Sequence, residues 1–147
     1  MKQGFVKVAS ATPRIRVADP VYNAQVICEQ AKEAAEHGAK IVVFPELCIT
    51  GYTCNDLFLQ ELLLEKAKEA LLTIAEETGQ LETLFLVGLP VDKDGRLYNV
   101  AAVLYRGRIL GMIPKKNIPM YAEFYEGRHF TPGEETVTEY RLGKQVI

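Results

Sequence analysis

Short apolar runs alternate with amphipathic stretches along the first half of the chain, a pattern that predicts strands alternating with helices. Residues 5–10 and 41–44 form runs of strand length. Between them, Asp19 before Pro20 predicts a helix start, and Gly38 predicts its end. The apolar positions of this helix recur at helical spacing, at Val21, Ala24, Cys28, Ala31 and Ala35. The strand–helix–strand order favours a parallel pair of strands.

A second helix is predicted from a cap at Asp56 to about Thr78, with Gly79 ending it. Its expected buried face is a set of apolar residues at helical spacing, namely Leu63, Ala67, Ala70, Leu71 and Ile74. This helix again follows a strand and precedes an apolar run, so the alternating order continues.

The second half of the chain favours locally paired strands. A third strand is predicted over residues 84–89, with a turn from Pro90 through Asp94-Gly95. Two further strands, 98–105 and 108–113, should form a hairpin about Arg106-Gly107. Residues 114–135 hold three prolines and predict a long loop, and residues 136–147 predict one or two short strands. The fold class is therefore α/β, with a mixed sheet and helices on one face.

Composition narrows the function classes. The 147 residues suit one domain with a real core, and 48% hydrophobic with 24% charged residues is ordinary for a globular protein. A net charge of −2 gives no electrostatic reason to expect nucleic acid or an anionic membrane as a partner. No apolar run approaches the ~20 residues of a membrane span, and the N-terminal residues lack a hydrophobic signal core. Three cysteines without metal-ligand spacing indicate reduced thiols, no metal site and a cytoplasmic location.

A carboxylate follows the predicted strand over residues 41–44. In open α/β sheets, ligands bind beyond the carboxyl ends of the strands, where Glu46 is expected. Pro45 restricts the backbone before it, and apolar Phe44 and Leu47 flank it, which suits a general base. The competing interpretation is a solvated carboxylate at a strand end.

A lysine occupies a similar place after the last hairpin strand. Lys115 stands between Pro114 and Pro119, which restrict the backbone on both sides of it. A lysine after a strand is most often surface decoration, but one held near a glutamate stays charged and stabilises an oxyanion. Lys115 and Glu46 are 69 residues apart along the chain, so the sequence alone does not show that they meet.

Both segments resemble motifs of the nitrilase, or carbon–nitrogen hydrolase, superfamily. Residues 44–52 read Phe-Pro-Glu-Leu-x-x-x-Gly-Tyr, and residues 114–121 match Pro-Lys-x-x-Leu-Pro-x-Tyr, with Ile118 in the leucine position and Met120 where asparagine is usual. The resemblance, over Lys7 to about Gly143, implies an incomplete nitrilase-like αββα sandwich. It also implies a Glu–Lys–Cys triad, in which Glu46 is the general base and Lys115 stabilises the oxyanion.

The resemblance assigns two further residues in the predicted loop. Glu126 matches the second glutamate of the superfamily, which positions the lysine and the substrate; the alternative is a loop salt bridge with Arg128. Tyr121 fits the position that contacts glutamine in glutamine-using members; the alternative is aromatic packing under the loop.

Within the superfamily, residues 48–58 resemble the N-terminal glutaminase domain of glutamine-dependent NAD(+) synthetases, through Thr-x-x-Asp-Leu-Phe. Residues 1–147 would then be the N-terminal part of such a domain, with its remainder and the synthetase domain absent. The resemblance implies glutamine as the substrate and homo-oligomers as the assembly. It places ATP and magnesium, which serve amidation of nicotinic acid adenine dinucleotide, in the absent domain, and no cofactor here.

The third member of the triad has no good candidate. Cys28 lies on the apolar stripe of the first helix, Cys48 in the turn after Glu46, and Cys54 in the loop framing the pocket. In the family, the nucleophile follows a Gly-x-x-Ile-Cys strand some tens of residues beyond the lysine, and no cysteine follows Lys115 here. We therefore expect a truncated chain that releases no ammonia from glutamine by itself.

Two alternatives stay open at this point. A stand-alone nitrilase-type amidase acting on another small amide would share Glu46 and Lys115. A noncatalytic assembly module would use the apolar surface of an incomplete sheet to bind a partner.

Overall fold

A computed structural model describes residues 4–147, so the first three residues of the predicted domain lie outside the described part. Two helices of 17 residues each, α1 (Pro20–Glu36) and α2 (Glu61–Glu77), accompany the strands. The strands are β1 (Val8–Ser10), β2 (Ile41–Val43), β3 (Leu84–Lys93), β4 (Arg96–Tyr105), β5 (Arg108–Pro114), β6 (Arg141–Leu142) and β7 (Gln145–Val146).

The first five strands form one mixed sheet in the order β1-β2-β3-β4-β5. The pairs β1–β2 and β2–β3 are parallel, whereas β3–β4 and β4–β5 are antiparallel. The α/β class and the mixed sheet are thus confirmed. Strands β6 and β7 form a separate two-stranded sheet near the C-terminus.

The two faces of the sheet differ in exposure. Alternate residues of β3, Phe85, Val87 and Leu89, are buried on the face that carries α1 and α2, together with helix residues such as Ile27 and Leu71. The opposite face carries apolar residues that stay accessible: Val8, Val43 and Ile113 are 64%, 45% and 57% exposed, and Leu86 and Val103 are half-buried. Residues 4–147 leave this part of the second face open, whereas residues 45–47 pack against Gly88 on the same face. No helix within the same range is long and apolar enough to cross a membrane.

Helix α1 begins as predicted, and α2 does not. The Asp19 side chain accepts a hydrogen bond from the backbone N–H of Tyr22, and Pro20 opens α1. Asp56 lies instead in a separate 3₁₀ turn, Asn55–Leu59, and α2 starts after Gln60, whose backbone is extended. The predicted cap at Asp56 is therefore wrong, and its carboxylate binds other partners.

Two predicted strand bounds also change. Strand β1 begins at Val8 rather than Phe5, and β3 continues through Pro90 to Lys93 instead of turning at Pro90. Pro90 lies opposite Asn99 of β4. The carbonyl oxygen of Asn99 accepts a hydrogen bond from Lys115, on the β5 side of β4, so Pro90 and Asn99 form a non-hydrogen-bonded pair. The backbone nitrogen of Pro90, which carries no hydrogen, points to the β2 side of β3. Because β2 ends before this point, β3 tolerates the proline there.

The remaining turns follow the prediction. Arg106 and Gly107, with φ of +48° and +75°, connect β4 to β5, and Asp94-Gly95 connects β3 to β4. Residues 115–140 carry a single short 3₁₀ turn, Glu126–Arg128, in agreement with the predicted long loop.

Candidate active site

Glu46 lies in a tight turn just beyond the carboxyl end of β2. Leu47, fully buried, has a φ of +53°, a left-handed conformation that non-glycine residues seldom adopt. Backbone hydrogen bonds close the turn, from Gly51 N to Leu47 O (2.7 Å) and from Ile49 N to Gly88 O (3.1 Å). The turn therefore fixes the direction in which the Glu46 side chain leaves the sheet.

Gly88 on β3 makes room for this turn. A methyl group at Gly88 would collide with the backbone nitrogen of Leu47 and lie 2.8 Å from the carbonyl oxygen of Pro45. Only glycine lets β3 approach the Glu46 segment this closely.

Asn99 on β4 contacts the Glu46 carboxylate. The side chain is 4% exposed, and its Nδ2 donates a hydrogen bond to Oε1 of Glu46. The carbonyl oxygen of Asn99 accepts from the backbone N–H of Lys115 at 2.8 Å. Sequence reasoning did not single out Asn99; an amide inside the otherwise apolar run of β4 was the available signal.

Lys115 lies between two carboxylates. Its Nζ is 2.7 Å from Oε1 of Glu46 and 3.0 Å from both carboxylate oxygens of Glu126. Burial lowers the pKa of Lys115, but the hydrogen bonds to Glu46 and Glu126 outweigh it and hold the pKa above its usual value. Lys115 thus carries a fixed positive charge, and the three residues predicted from the sequence meet at one point.

Glu126 is buried beneath this group. Its side chain is 6% exposed, and besides Lys115 it accepts a hydrogen bond from the hydroxyl of Tyr52 at 2.6 Å. Burial and then this hydrogen bond raise the pKa of Tyr52, so the hydroxyl stays protonated and donating. The alternative partner, Arg128, forms its ion pair with Asp56 instead.

A cluster of charges beside the site ties its loop to the 3₁₀ turn of residues 55–59. The Asp56 carboxylate accepts Nε of Arg128 at 2.8 Å, Nη2 of Arg128 at 3.0 Å and Nε2 of His129 at 3.0 Å. Hydrogen bonds from Arg128 and His129 lower the pKa of Asp56 to about 2. Asp56 therefore connects two loops rather than capping α2.

Tyr121 borders an open cavity of about 480 Å³ above the three charged residues. Its ring is 69% exposed and packs edge-on against Phe124, with ring centroids 5.6 Å apart. Glu46, Lys115, Tyr52 and Glu126 line the same cavity. A molecule of the size of an amino acid could occupy this space between the aromatic rim and the lysine.

The three cysteines are buried thiols. Cys48 is 1% exposed and Cys54 is 2% exposed, and Cys28 lies on the buried face of α1. Burial raises the pKa of Cys48 and of Cys28 to about 11 and that of Cys54 above its usual value. Because the thiolate is the reactive form, none of these residues has the surroundings of a nucleophile.

The arrangement suits the hydrolysis of a carbonyl derivative. A carboxylate next to an exposed cavity is able to take a proton, and a fixed ammonium group stabilises negative charge developing on an oxygen. The second carboxylate, Glu126, holds the ammonium in place.

Comparisons with known proteins find similar sequences and folds over most of the chain. Residues 7–146 match the carbon-nitrogen hydrolase family. Over 142 residues, 97% of the chain, the sequence is 39% identical to the glutamine-dependent NAD(+) synthetase of Mycobacterium tuberculosis, and it spans 21% of that protein. The described fold matches the crystal structure of a glutamine-dependent NAD(+) synthetase from Cytophaga hutchinsonii with a TM-score of 0.89 and 28% identity, covering 96% of this chain and 24% of that one.

A more distant match concerns the fold alone. The NitN amidase from Neterenkonia sp. AN1 superposes with a TM-score of 0.73 at 24% identity, over 97% of this chain and 55% of that one. The chain thus spans about a fifth of the curated relatives it matches and about half of a nitrilase-superfamily amidase.

Proposed function

The chain belongs to the carbon–nitrogen hydrolase family, and from that premise we propose that it carries the general base and the oxyanion-stabilising lysine of a glutaminase domain. The observation that supports this proposal most strongly is Lys115, whose ammonium group lies within 3.0 Å of both Glu46 and Glu126 at the floor of the cavity.

In the proposed reaction, Glu46 takes the proton of a cysteine thiol, and the thiolate attacks the side-chain amide carbon of glutamine. The resulting oxyanion lies against the Lys115 ammonium. Protonated Glu46 returns its proton to the nitrogen, and ammonia leaves with formation of a thioester. Water, deprotonated by Glu46, then hydrolyses the thioester to glutamate and regenerates the thiol.

We propose that the thiol comes from a cysteine outside these 147 residues. The three thiols of the chain are buried, and burial raises the pKa of each of them. The exposed sheet face, with Val43 and Ile113, supports a matching proposal, namely that a second β layer covers this face and completes an αββα sandwich.

The named relatives suggest where the ammonia goes. Because they are glutamine-dependent NAD(+) synthetases, we propose that the complete protein uses the ammonia, with ATP and magnesium bound in another domain, to amidate nicotinic acid adenine dinucleotide. Tyr121 at the cavity rim would contact the glutamine.

Ammonia release from glutamine by the protein expressed from its full natural coding sequence tests the proposal. We expect Lys115→Ala and Glu46→Gln to lower kcat by about 100-fold or more. Lys116→Ala is the matched control, since Lys116 pairs with Glu135 and not with the site. The Cys48→Ala and Cys54→Ala variants should keep the kcat of the native protein.

Two outcomes would contradict the proposal. Full turnover in Lys115→Ala would remove the role of the lysine, and loss of a covalent thioester in Cys48→Ala would place the nucleophile inside this chain. A native protein that releases ammonia only from another small amide would favour the stand-alone amidase.

A further inference from the structure

We propose that Asn99 is a positioning residue for this reaction, because its side chain holds the Glu46 carboxylate and its carbonyl group holds the backbone of Lys115. The inference rests on the proposed function, which gives Glu46 and Lys115 their roles. Asn99 acts through these two residues and has no required contact with the substrate.

The side-chain contact selects one oxygen of the carboxylate. Within residues 4–147, Asn99 Nδ2 and Lys115 Nζ both donate to Oε1 of Glu46. This leaves Oε2 as the oxygen that accepts the thiol proton. Two donors on one oxygen also fix the rotation of the carboxylate, so that Oε2 keeps one direction.

The backbone contact fixes the lysine. Lys115 is the first residue after β5, and its N–H donates to Asn99 O at 2.8 Å, while its own carbonyl accepts from Gly133 N at 2.9 Å. Strand β4 has paired neighbours on both sides, β3 and β5, which makes Asn99 a rigid reference for both groups.

The chemistry of this position calls for an amide. An aliphatic side chain of the same shape would leave Glu46 Oε1 with Lys115 as its one remaining donor. An aspartate would place a second carboxylate against the first and resist the ionised form of the base. Asparagine supplies a neutral donor of the correct length from a buried position.

Isosteric variants of the protein expressed from its full natural coding sequence test this role. We expect Asn99→Leu to lower kcat for glutamine hydrolysis by about 10-fold to 100-fold while KM changes by less than about 3-fold. For Asn99→Asp we expect a larger fall and an acidic limb of the pH–rate profile moved to higher pH, because the added carboxylate opposes ionisation of the base.

Thr83→Val is the matched control. Thr83 is buried, and its hydroxyl donates to Ala39 O at 2.8 Å, away from the cavity. This variant also loses a buried hydrogen bond, so it should show a similar fall in thermal stability but keep the kcat and the pH profile of the native protein. A merely structural Asn99 would behave in the same way.

Two results would overturn the inference. One is an Asn99→Asp variant whose kcat per folded molecule and pH profile match those of the native protein. The other is a crystal structure of Asn99→Leu in which the Glu46 carboxylate keeps its position and orientation. A native protein that hydrolyses no glutamine would refute the proposed function instead, and the crystal structure would still decide whether Asn99 positions Glu46.

Discussion

Two segments form the walls of the site, and different forces hold them. Residues 44–51, the packed wall, are closed by backbone hydrogen bonds and pressed against Gly88. Residues 114–133, the charged wall, contain one short 3₁₀ turn. Backbone hydrogen bonds to β4 and the packing of Phe130 hold this segment, and ion pairs add to them, among them Lys115–Glu126 and Arg128–Asp56. The backbone of the proposed general base is therefore fixed by packing, whereas the side chain of Lys115 is fixed by charge.

Because of this difference, the two walls should respond to different kinds of change. A packed turn responds to changes of volume, because protein interiors have few spaces into which an added atom fits. Ion pairs respond to salt and pH, more strongly where they are exposed. Variants of each wall should therefore fail in different ways.

The largest expected effect comes from Gly88→Ala in the packed wall. The added methyl collides with the backbone of Leu47, so the turn must move, and we expect the free energy of unfolding to fall by about 3 kcal/mol. Displacement of Glu46 should also lower glutamine turnover by about 100-fold. Chemical denaturation and ammonia release measure the two effects.

Gly111→Ala on β5 is the control, since a methyl group there meets no atom within 4 Å. If Gly88→Ala is as stable and active as Gly111→Ala, packing does not fix this wall.

A smaller effect is expected from Glu126→Gln in the charged wall. The change keeps the shape and removes the buried charge that holds Lys115, which should lower kcat by about 10-fold and the free energy of unfolding by about 1 kcal/mol. Because the Glu126 carboxylate is buried, added salt should change this difference in stability little.

Glu123→Gln, an exposed position in the same loop, should change neither quantity. A Glu126→Gln variant with the native kcat and the native free energy of unfolding would contradict the electrostatic account of this wall.

The smallest effect is expected from Asp56→Asn, which removes the exposed partner of Arg128 and His129. The pKa of Asp56 is about 2 in the folded protein and ~3.9 in an unfolded chain. The ion pair therefore stabilises the folded state above about pH 4, and this contribution is lost as the pH falls through the folded-state pKa.

We expect urea midpoints of the native and Asp56→Asn proteins to differ slightly near neutral pH and to converge as the pH falls from about 4 toward about 2. A difference that stays constant over this range would show that Asp56 acts through something other than its charge.

The sequence predicted the parts of the fold that depend on local signals. Asp19-Pro20 marks the start of α1 because a cap and a first-turn proline act within a few residues. The start of α2 was wrong because the apolar spacing of Leu57 to Leu64 fits one helix as well as a 3₁₀ turn followed by a helix. Phe58, buried against Phe130 from a distant segment, favours the second arrangement, and such a contact is invisible to local patterns.

The sequence likewise indicated some, but not all, of the residues that meet at the candidate site. Glu46, Lys115 and Glu126 were found through motifs, and the structure brings them together. Asn99 and Gly88 were missed because their importance lies in what approaches them across the sheet. Which partner Glu126 has, Lys115 or Arg128, also depends on three-dimensional packing and not on spacing along the chain.

Leu47 is a position where two demands on one residue conflict. A glycine would relax its left-handed backbone, by about 1–2 kcal/mol, but would empty a fully buried side-chain site whose loss costs about 2–5 kcal/mol. Asparagine, the other residue tolerant of this backbone, would bury an amide among apolar neighbours. The turn beside the proposed base is thus frustrated in the native sequence, and neither glycine nor asparagine at this position would relieve the conflict.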